Sequence, residues 1–365
     1  MVYRLGVDVG GTFTDFLLMN EETGETFTAK VPSTPEDSSI GVLNGVARIC
    51  EESGVDPSAI KRMMHGTTVA TNAVLTGRGA RVGLVTTAGF EHTLQIARSF
   101  CPGGLGGWVS FIKRPLLAPL QLTIGARERI AADGAVVNPL DEERLREDLA
   151  RLHARGEVEA LTICFINAFI NGEHERRAAE IAGEIFGDVP ISISSDVVPE
   201  MQEYERTETT VVNSYVRPEV SRYMNNLQEA LQTELGSKTQ LAILRSDGGL
   251  ASVRATAESP VNILMSGPAG GVAGAIYFCT QAGYDNLLTF DMGGTSTDVA
   301  LCENARANVR RETLVGEVRV RAPSSEVRTS GAGGGSIAVV PELTQALRVG
   351  PESAGAVPGP AAFMM

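Results

Sequence analysis

The chain has little of three things: aromatic side chains, cysteine and positive charge. Aromatic residues make up 5% of its 365 residues, with one Trp, and the formal net charge is −13. Broad nucleic-acid-binding faces carry an excess of Lys and Arg against phosphate, so an acidic chain of this size predicts no nucleic-acid partner. An anionic ligand would need local help from Arg, a metal ion or backbone N–H groups.

The cysteines are few, scattered and odd in number, and no Cys-x-x-Cys occurs: Cys50, Cys101, Cys164, Cys279 and Cys302. This pattern argues against a disulfide framework or a zinc site and favours buried thiols in a reducing compartment. No apolar run approaches the ~20 residues of a membrane span. The opening MVYRLGVDVGG lacks the basic and apolar regions of a signal peptide. We therefore expect a cytoplasmic protein without a membrane partner.

Strand and helix patterns alternate along most of the chain, which predicts an α/β protein with mostly parallel sheets. Its length suggests two or three domains. The pattern is lost from Gly89 to Pro139, a Gly/Pro-rich stretch that predicts an insertion or active-site loop. There Trp108 is either the stacking face of a lid or part of a disordered loop. A long helical stretch follows Pro199, with a break or kink expected near Pro218.

One pattern, Asp-x-Gly-Gly-Thr-x-Thr-Asp, occurs twice: in LGVDVGGTFTDFLL from Leu5 and in LTFDMGGTSTDVAL from Leu288. Each copy predicts two strands joined by a tight Gly-Gly turn. An acid at the end of a buried strand can orient a hydrated Mg²⁺. The glycines let phosphate approach backbone N–H groups, and the threonines add hydroxyl donors.

The repeat therefore predicts two hairpins that clamp a polyphosphate with the cation between them. A well-formed turn is the alternative, but a turn alone does not require the flanking Asp and Thr twice. No P-loop string and no strand-linked G-x-G-x-x-G is present. Asp15 would fix the first turn or reach the metal through water. The expected metal ligands are Asp8, Asp291 and Asp298, of which Asp8 and Asp291 are also expected catalytic residues. The expected nucleotide contacts are Gly10, Gly11, Thr12, Thr14, Gly293, Gly294, Thr295 and Thr297.

His65 stands before Gly-Thr-Thr at a predicted strand-to-helix junction. A helix N-terminus there would suit an anionic substrate or a phosphorylated intermediate, with His65 as a catalytic residue and Thr67, Thr68 and Asn72 on the first turns. The alternative is that Thr67 only caps the helix and His65 is a turn residue with its hydrogen bonds satisfied.

Two further segments carry open alternatives. In GAGGGS, Gly333 and Gly334 would allow close backbone approach to a ligand or a facing lobe, or the run is a flexible linker. Glu203, Glu205 and Arg206 are either a cleft Glu/Arg pair or charges that favour a helix N-terminus.

The duplicated hairpin resembles the actin/heat-shock-chaperone/sugar-kinase superfamily, in which two ribonuclease-H-like lobes hold ATP between them. SGPAGGVAGA, from Ser266, stands where that superfamily has its connecting helix. The resemblance implies a first lobe over 1–265, with a loop insertion near 89–140. It places the connecting helix and an incomplete second lobe over 266–365.

The whole chain more specifically resembles the hydantoinase A/5-oxoprolinase family. The strings that carry this resemblance are HGTTVATNAVL, PEMQEYERTETTVVNSYV, SGPAGG, DMGGTSTDVAL, GAGGGSIA and RVGPESAGAVPGP. The family implies ATP and Mg²⁺ as cofactors and a hydantoinase B-like partner subunit. It implies ATP-dependent hydrolysis of a hydantoin, 5-oxoproline or a lactam through a phosphorylated carbonyl oxygen. An acetone- or acetophenone-type ketone carboxylase subunit is the alternative, and a non-catalytic, ATP-switched binding protein is another.

The sequence departs from the family pattern at three places. Glu326 and Arg328 replace the Asp and His of the usual Asp-Val-His-Thr, and Arg328 stays protonated and cannot ligate a metal. Gly267 and Pro268 stand where chaperones of the superfamily carry a water-orienting Glu. The family's Gly-Gly-Ala-Gly-Pro turn, which contacts adenosine, is absent, so we expect a fragment, a split gene product or an inactive remnant.

Overall fold

The first copy of the repeated motif opens the structure as an antiparallel hairpin, and the rest of the fold is built around it. The structure is a computed structural model that describes residues 2–10, 13–34, 38–99, 113–236, 239–293, 297–342 and 345–354. Strands before residue 265 are β1 (Tyr3–Val9), β2 (Phe13–Asn20), β3 (Thr26–Pro32), β4 (Ile60–Thr67), β5 (Val82–Thr87), β6 (Thr123–Ala126), β7 (Arg129–Ile130), β8 (Val136–Asn138), β9 (Ala160–Cys164), β10 (Ile191–Ile193), β11 (Gln240–Leu244) and β12 (Leu250–Ser252).

Short strands dominate the remainder of the chain, whereas most helices precede it. The later strands are β13 (Leu287–Met292), β14 (Thr297–Glu303), β15 (Arg306–Ala307), β16 (Val309–Arg310), β17 (Thr313–Val315), β18 (Val318–Val320), β19 (Ser324–Ser325), β20 (Arg328–Ser330), β21 (Ser336–Val339) and β22 (Arg348–Ser353). The helices are α1 (Ser38–Ser53), α2 (Val69–Thr76), α3 (Thr93–Ile96), α4 (Glu142–His153), α5 (Glu173–Phe186), α6 (Ser194–Val197), α7 (Glu203–Leu235), α8 (Val253–Glu258) and α9 (Ser266–Gln281), with 3₁₀ turns at Pro57–Ala59, Leu120–Leu122 and Pro260–Ile263.

Three larger sheets hold most of these strands, and the others form the two-stranded pairs β7-β8, β16-β19, β17-β18 and β21-β22. The first has the order β12-β11-β4-β1-β2-β3, the second β10-β9-β5-β6, and the third β13-β14-β15 with β20 also paired to β14. Every pair in the second sheet is parallel, the first sheet is mixed, and the third is antiparallel. The prediction of mostly parallel sheets is therefore wrong for the first and third sheets, because each copy of the motif is a hairpin extended by a further antiparallel strand.

The long helix α7 lies in the interior of the molecule. It contacts α1, β9 and β10, and apolar side chains from Val211 to Leu235 are buried along it. A helix with buried residues on several faces is typical of a core position. The helix is not broken near Pro218, because α7 is continuous through that residue, and the kink expected there stays a prediction.

The stretch from 89 to 140 is only partly a loop. Its described residues contain α3, β6, β7 and β8, and β6 pairs in parallel with β5 as an edge strand of the second sheet. Because β6 is only four residues long, its apolar pattern is too short to stand out in the sequence. Trp108 lies outside the described residues.

A hairpin arm formed by β17 and β18 reaches back from the later part of the chain. Val315, Val318 and Val320 are buried in the same hydrophobic core as β1 and α7. The Arg321 backbone N–H donates a 2.8 Å hydrogen bond to Thr209 Oγ1 on α7. The arm therefore packs across the predicted domain boundary at residue 265, which stays a prediction.

The cysteines among the described residues are free thiols. Cys50, Cys164 and Cys302 are free and buried, and Cys279 is half-buried. Of the helices in the described ranges, none has the length and apolar character needed to cross a bilayer.

Candidate functional site

The two copies of the repeated motif form hairpins with the same register. Asp8 lies opposite Asp15 in the β1–β2 pair, and Asp291 lies opposite Asp298 in the β13–β14 pair. Because side chains alternate between the faces of a strand, the two acids of each copy share one face. The predicted hairpins are confirmed, and the structure adds that their two acids lie opposite each other.

A third strand extends each hairpin in the same way. In the first copy β3 pairs with β2 and sets Lys30 opposite Asp15; in the second, β20 pairs with β14 and sets Thr329 opposite Asp298. Lys30 Nζ lies 2.8 and 2.9 Å from the two carboxylate oxygens of Asp15. Thr329 Oγ1 donates a 2.5 Å hydrogen bond to Asp298. The second acid of each copy is thus held by its neighbouring strand.

Both acidic pairs open onto one cleft of about 950 Å³. The walls are the first sheet on one side, the third sheet on the other and the start of α9 between them. The residues that bear on its chemistry are Asp8, Asp15, Lys30, Gly66, Thr68, Gly267, Gly270, Gly271, Asp291 and Asp298. The fold therefore brings the two motifs together, as the repeat predicted.

Glycines keep space open beside the first acid of each copy. A Cβ at Gly66 would lie 3.1 Å from Asp8 Oδ1, and one at Gly267 would lie 3.8 Å from the same oxygen. On the next turn of α9, a Cβ at Gly271 would lie 3.8 Å from Asp291 Oδ2. The start of α9 thus presents bare backbone to both carboxylates.

The cleft concentrates negative charge. Burial, followed by the charges of Asp15 and Asp291, raises the pKa of Asp8. Burial also raises the pKa of Asp298, as does the charge of Asp291, while the Thr329 hydrogen bond acts in the opposite direction. Carboxylates with this environment favour a cation between them.

The chain's residues fit a hydrated divalent cation better than a protein-enclosed metal. Among the described residues no group of three or more His, Cys, Asp and Glu side chains could hold a metal ion. Mg²⁺ instead takes one or two carboxylates and keeps water and phosphate oxygens as its other ligands. The glycine-lined space between Asp8 and Asp291 suits that mode, whereas Asp298 is already engaged by Thr329.

The described residues that flank the two hairpin turns are held from outside the cleft. Thr14 is buried and shares a 3.0 Å hydrogen bond with Ser33, whose hydroxyl donates to the Gly10 carbonyl at 2.8 Å. Thr297 Oγ1 donates to the Ala332 carbonyl at 2.5 Å. The hydroxyls of Thr14 and Thr297, predicted as nucleotide contacts, are therefore engaged by Ser33 and Ala332. Gly11, Thr12, Gly294 and Thr295 lie outside the described residues.

The glycine run after β20 packs against the second hairpin. The Gly334 backbone N–H donates to the Gly293 carbonyl at 2.9 Å, and that of Gly333 donates to Ser336 Oγ at 2.7 Å. These hydrogen bonds hold the glycine run as a turn beside the second motif. Of the two alternatives predicted for GAGGGS, this geometry favours close backbone approach over a flexible linker.

His65 is not brought to the open face of the sheet. It lies opposite Val7 in the β1–β4 register, whereas Gly66 lies opposite Asp8, so its imidazole lies on the other face. It is fully buried, and His65 Nε2 shares a 2.8 Å hydrogen bond with the Tyr223 hydroxyl of α7. Burial lowers the pKa of His65 to about 4, so it is neutral near pH 7. This position gives no support to a catalytic role.

The threonines after His65 tie α2 to its surroundings. Thr67 Oγ1 accepts a 3.3 Å hydrogen bond from the Val69 N–H, and the Thr67 carbonyl accepts one of 2.8 Å from Ser266 Oγ at the start of α9. Thr68 Oγ1 donates to the Val9 carbonyl at 3.2 Å and accepts from Asn72 Nδ2, also at 3.2 Å. Of Thr67, Thr68 and Asn72, Thr68 lies in the wall of the cleft.

The charged residues at the start of α7 have structural partners away from the cleft. Arg206 is fully buried and donates to Ser194 Oγ and to the Phe165 and Glu200 carbonyls. Glu205 accepts two 2.7 Å hydrogen bonds from Arg98. Glu203 lies in the first turn of α7. Glu203 and Glu205 therefore fit the alternative in which acidic charges stabilise a helix N-terminus.

The residues that replace the family's usual Asp and His lie on β20 and just before it. Glu326 pairs with Arg310, and Arg328 lies opposite Val299 on β14. The sequence pattern did not predict that Thr329, Lys30 and Gly66 lie beside the acids of the two motifs. The small-residue string SGPAGG did signal Gly267 and Gly271, although their closeness to the two acids needed the fold.

Comparison with known proteins gives a consistent result. Residues 4–186 match the model of the hydantoinase/oxoprolinase N-terminal region, and residues 206–365 match that of hydantoinase/oxoprolinase. The chain is 37% identical to caprolactamase subunit alpha of Pseudomonas jessenii, over 99% of this chain and 52% of that protein. It is 35% identical to the acetophenone carboxylase gamma subunit of Aromatoleum aromaticum, over 99% of this chain and 51% of that protein.

Solved structures agree with the sequence relationships. The crystal structure of ATP-dependent caprolactamase from Pseudomonas jessenii superposes with a TM-score of 0.86 at 36% identity, covering 99% of this chain and 52% of that one. Nucleotide-free acetone carboxylase gives 0.84 at 28% identity, covering 96% and 51%. The chain thus spans about half the length of these relatives. On the family models and these relatives together, the chain belongs to the hydantoinase/oxoprolinase family.

Proposed function

We propose that this chain is the nucleotide-binding part of an ATP-dependent enzyme that activates the carbonyl oxygen of a cyclic amide by phosphorylation. The observation that carries the proposal is the pair of Asp-x-Gly-Gly-Thr hairpins, alike in register, that face one cleft. We also propose that the complete enzyme has two lobes like those of the actin-like superfamily, with the nucleotide between them. ATP dependence is supported by the caprolactamase relative, whose structure is described as ATP-dependent.

The chain's own residues have separable roles in this proposal. Asp8 and Asp291 would hold a hydrated Mg²⁺ from opposite walls, and the bare backbone at Gly267 and Gly271 leaves space for phosphate. Lys30 keeps Asp15 paired, which limits the number of free carboxylates near an anionic ligand. When bound, Mg·ATP supplies the transferable phosphoryl group and neutralises its developing charge.

The carbonyl substrate is the less determined part of the proposal. An amide carbon is weakly electrophilic, and phosphorylation of its oxygen would activate that carbon toward water. Water would add to the carbon, the C–N bond would break as the ring nitrogen takes up a proton and leaves, and a second water would hydrolyse the resulting acyl phosphate to a carboxylate and phosphate. Hydrolysis of a hydantoin, 5-oxoproline or a lactam fits the family and the caprolactamase relative. A ketone carboxylase subunit is the second candidate, because the acetophenone carboxylase gamma subunit is similar at nearly the same identity, 35% against 37%.

The reaction is proposed for an assembly and not for these residues alone. The chain covers about half of its relatives, which are named as subunits. We expect a hydantoinase B-like partner subunit to complete the substrate site.

The test is ATP turnover by the assembled enzyme with caprolactam, 5-oxoproline or hydantoin, with and without bicarbonate. We expect turnover that depends on the cyclic amide and on Mg²⁺. Asp291→Asn should reduce it by on the order of 100-fold or more, because it removes one side of the cation clamp. Asp285→Asn, at an exposed residue just before β13, is the matched charge control and should change nothing.

The other outcomes discriminate between the candidates. A requirement for bicarbonate together with a ketone would indicate the carboxylase. Tight ATP binding that alters partner affinity without any chemistry would indicate a nucleotide-switched binding protein. Full activity of Asp291→Asn would remove Asp291 from the cation site.

A further inference from the structure

Ser266 links the starts of two helices that meet beside the first acid of the cleft. Its hydroxyl donates a 2.8 Å hydrogen bond to the Thr67 carbonyl and accepts one of 3.3 Å from the Thr67 backbone N–H. Both residues are fully buried. One hydroxyl therefore engages both backbone groups of the last residue of β4, from a position 199 residues further along the chain.

A serine at a helix start ordinarily accepts a hydrogen bond from the first N–H groups of its own helix. Here Met265, the residue before α9, provides no side-chain cap, and the Ser266 hydroxyl bonds to β4 instead. The first turn of α9 has no acidic side chain, Pro268 has no N–H, and the Ala269 N–H donates to the Met265 carbonyl. The N–H groups of Ser266 and Gly267 are thus left without a partner in their own helix.

The start of α9 lies beside the cleft residues of the first copy of the repeat. Gly267 and Thr68 both line the cleft. A Cβ at Gly267 would lie 3.8 Å from Asp8 Oδ1 and 3.8 Å from Thr68 Cγ2. The starts of α2 and α9 and the Asp8 carboxylate are therefore neighbours, and the two hydrogen bonds of Ser266 fix one helix start against the other.

We propose that Ser266 is a positioning residue for phosphoryl transfer, which through its bonds to Thr67 holds the Gly267 N–H where charge develops on the transferred group. This inference rests on the proposed function, because it takes the cleft between Asp8 and Asp291 as the Mg·ATP site. Donors that are fixed before the reaction stabilise developing charge without a cost of reorganisation. A shift of about 1 Å in such a group can lower a rate on the order of 100-fold.

A second tie between the same elements provides the matched control. Thr71 Oγ1, in the first turn of α2, donates to the Leu264 carbonyl just before α9. It joins α2 to the segment that leads into α9, but neither of these two described residues lines the cleft. Loss of either hydroxyl should cost similar stability, whereas only loss of the Ser266 hydroxyl should disturb the donor beside Asp8.

The test compares Ser266→Ala, Thr71→Val and the parent chain in the assembled enzyme, with ATP turnover measured in the presence of caprolactam, 5-oxoproline or hydantoin. Ser266→Ala should lower kcat on the order of 10- to 100-fold and change the KM for ATP by less than about twofold, because the positioned donor acts as charge develops. Thr71→Val should keep kcat within about twofold. The thermal midpoints of the two variants should fall by similar amounts.

A readout without turnover is the affinity for Mg·ADP with vanadate, which imitates the transferred phosphoryl group, measured by calorimetry beside Mg·ADP alone. Ser266→Ala should weaken binding with vanadate at least about tenfold and leave binding of Mg·ADP alone unchanged. A merely structural role would lower both affinities together or neither.

Two results overturn the inference alone: the parent enzyme turns over and Ser266→Ala matches it in kcat and in vanadate affinity, or Thr71→Val loses as much of both as Ser266→Ala does. If the parent enzyme neither turns over nor binds Mg·ADP with vanadate, the proposed function itself fails and the inference fails with it.

Discussion

Thr329 donates a short hydrogen bond to Asp298 at the position where Lys30 pairs with Asp15 in the first copy of the repeat. The two hairpins are therefore alike in backbone register but differ in how their second acid is held. Lys30 offsets the negative charge of Asp15 at the cleft rim. The Thr329 hydroxyl instead orients the Asp298 carboxylate without offsetting its charge.

This difference predicts that Thr329→Val destabilises the folded chain by about 1 kcal/mol at pH 7, the order of a hydrogen bond to a half-exposed charged group. Loss of the hydroxyl raises the pKa of Asp298 further, since burial already raises it. The deficit should shrink as the pH falls through the raised pKa of folded Asp298, because the hydrogen bond favours the charged carboxylate. Urea unfolding at several pH values measures this, and Thr329→Ser should behave like the parent chain. An equal deficit at every pH would contradict the prediction.

The glycines of α9 give a test of the cleft that separates binding from stability. Gly→Ala inside a helix stabilises by roughly 0.5–1 kcal/mol where space allows. Gly267→Ala and Gly271→Ala place a methyl group 3.8 Å from the Asp8 and Asp291 carboxylates, respectively. Each should raise the thermal midpoint yet weaken Mg·ATP binding, as measured by calorimetry.

Gly274→Ala is the control on the same helix, because a Cβ there would meet nothing within 4 Å. It should stabilise the chain by a similar amount and leave nucleotide binding unchanged. Equal binding by all three variants would show that ligands do not approach the start of α9.

The buried imidazole of His65 predicts a pH dependence of stability. Its pKa is about 4 in the folded chain and 6.5 ordinarily, so the unfolded chain binds the extra proton between these values. Stability from this group is therefore complete above pH 6.5 and falls as the pH decreases toward 4. His65→Gln should flatten that part of the curve of unfolding free energy against pH. Tyr223→Phe, which keeps the imidazole, should retain the slope while lowering stability.

Matched truncations in the two copies of the repeat compare a buried position with an exposed one. Leu5→Ala removes a fully buried side chain and should cost about 2–5 kcal/mol. Leu288→Ala, at the corresponding position, removes an exposed side chain and should cost less than about 0.5 kcal/mol. Denaturant unfolding of the two variants beside the parent chain gives both numbers. Similar losses would mean that Leu288 is covered in the free chain.

The repeated motif made the hairpins and their convergence predictable, because eight residues with fixed chemistry recur in one register. The helix at Ser266 was also readable, since small residues follow a proline near its start. Other features depend on packing that single-sequence patterns do not record. Burial places His65 on the covered face of its sheet, although its position before Gly-Thr-Thr resembles that of an exposed site residue.

The hairpin arm formed by β17 and β18 is a second feature that the sequence pattern does not predict. Its strands are only three residues each, so nothing in their pattern reveals that Val315 and Val318 belong to a core begun at the start of the chain. Likewise, the pairing of Thr329 with Asp298 depends on a strand that returns after a long excursion. Distance in sequence hides both relationships.

That arm has a consequence for synthesis. Proteins emerge from the ribosome N-terminus first at ~5–20 residues per second, and the core around β1 includes side chains up to Ala322. The core of the early strands and helices is therefore incomplete until Ala322 has been synthesised. A nascent chain arrested before residue 313 should remain sensitive to protease at α7, and one released after residue 322 should not.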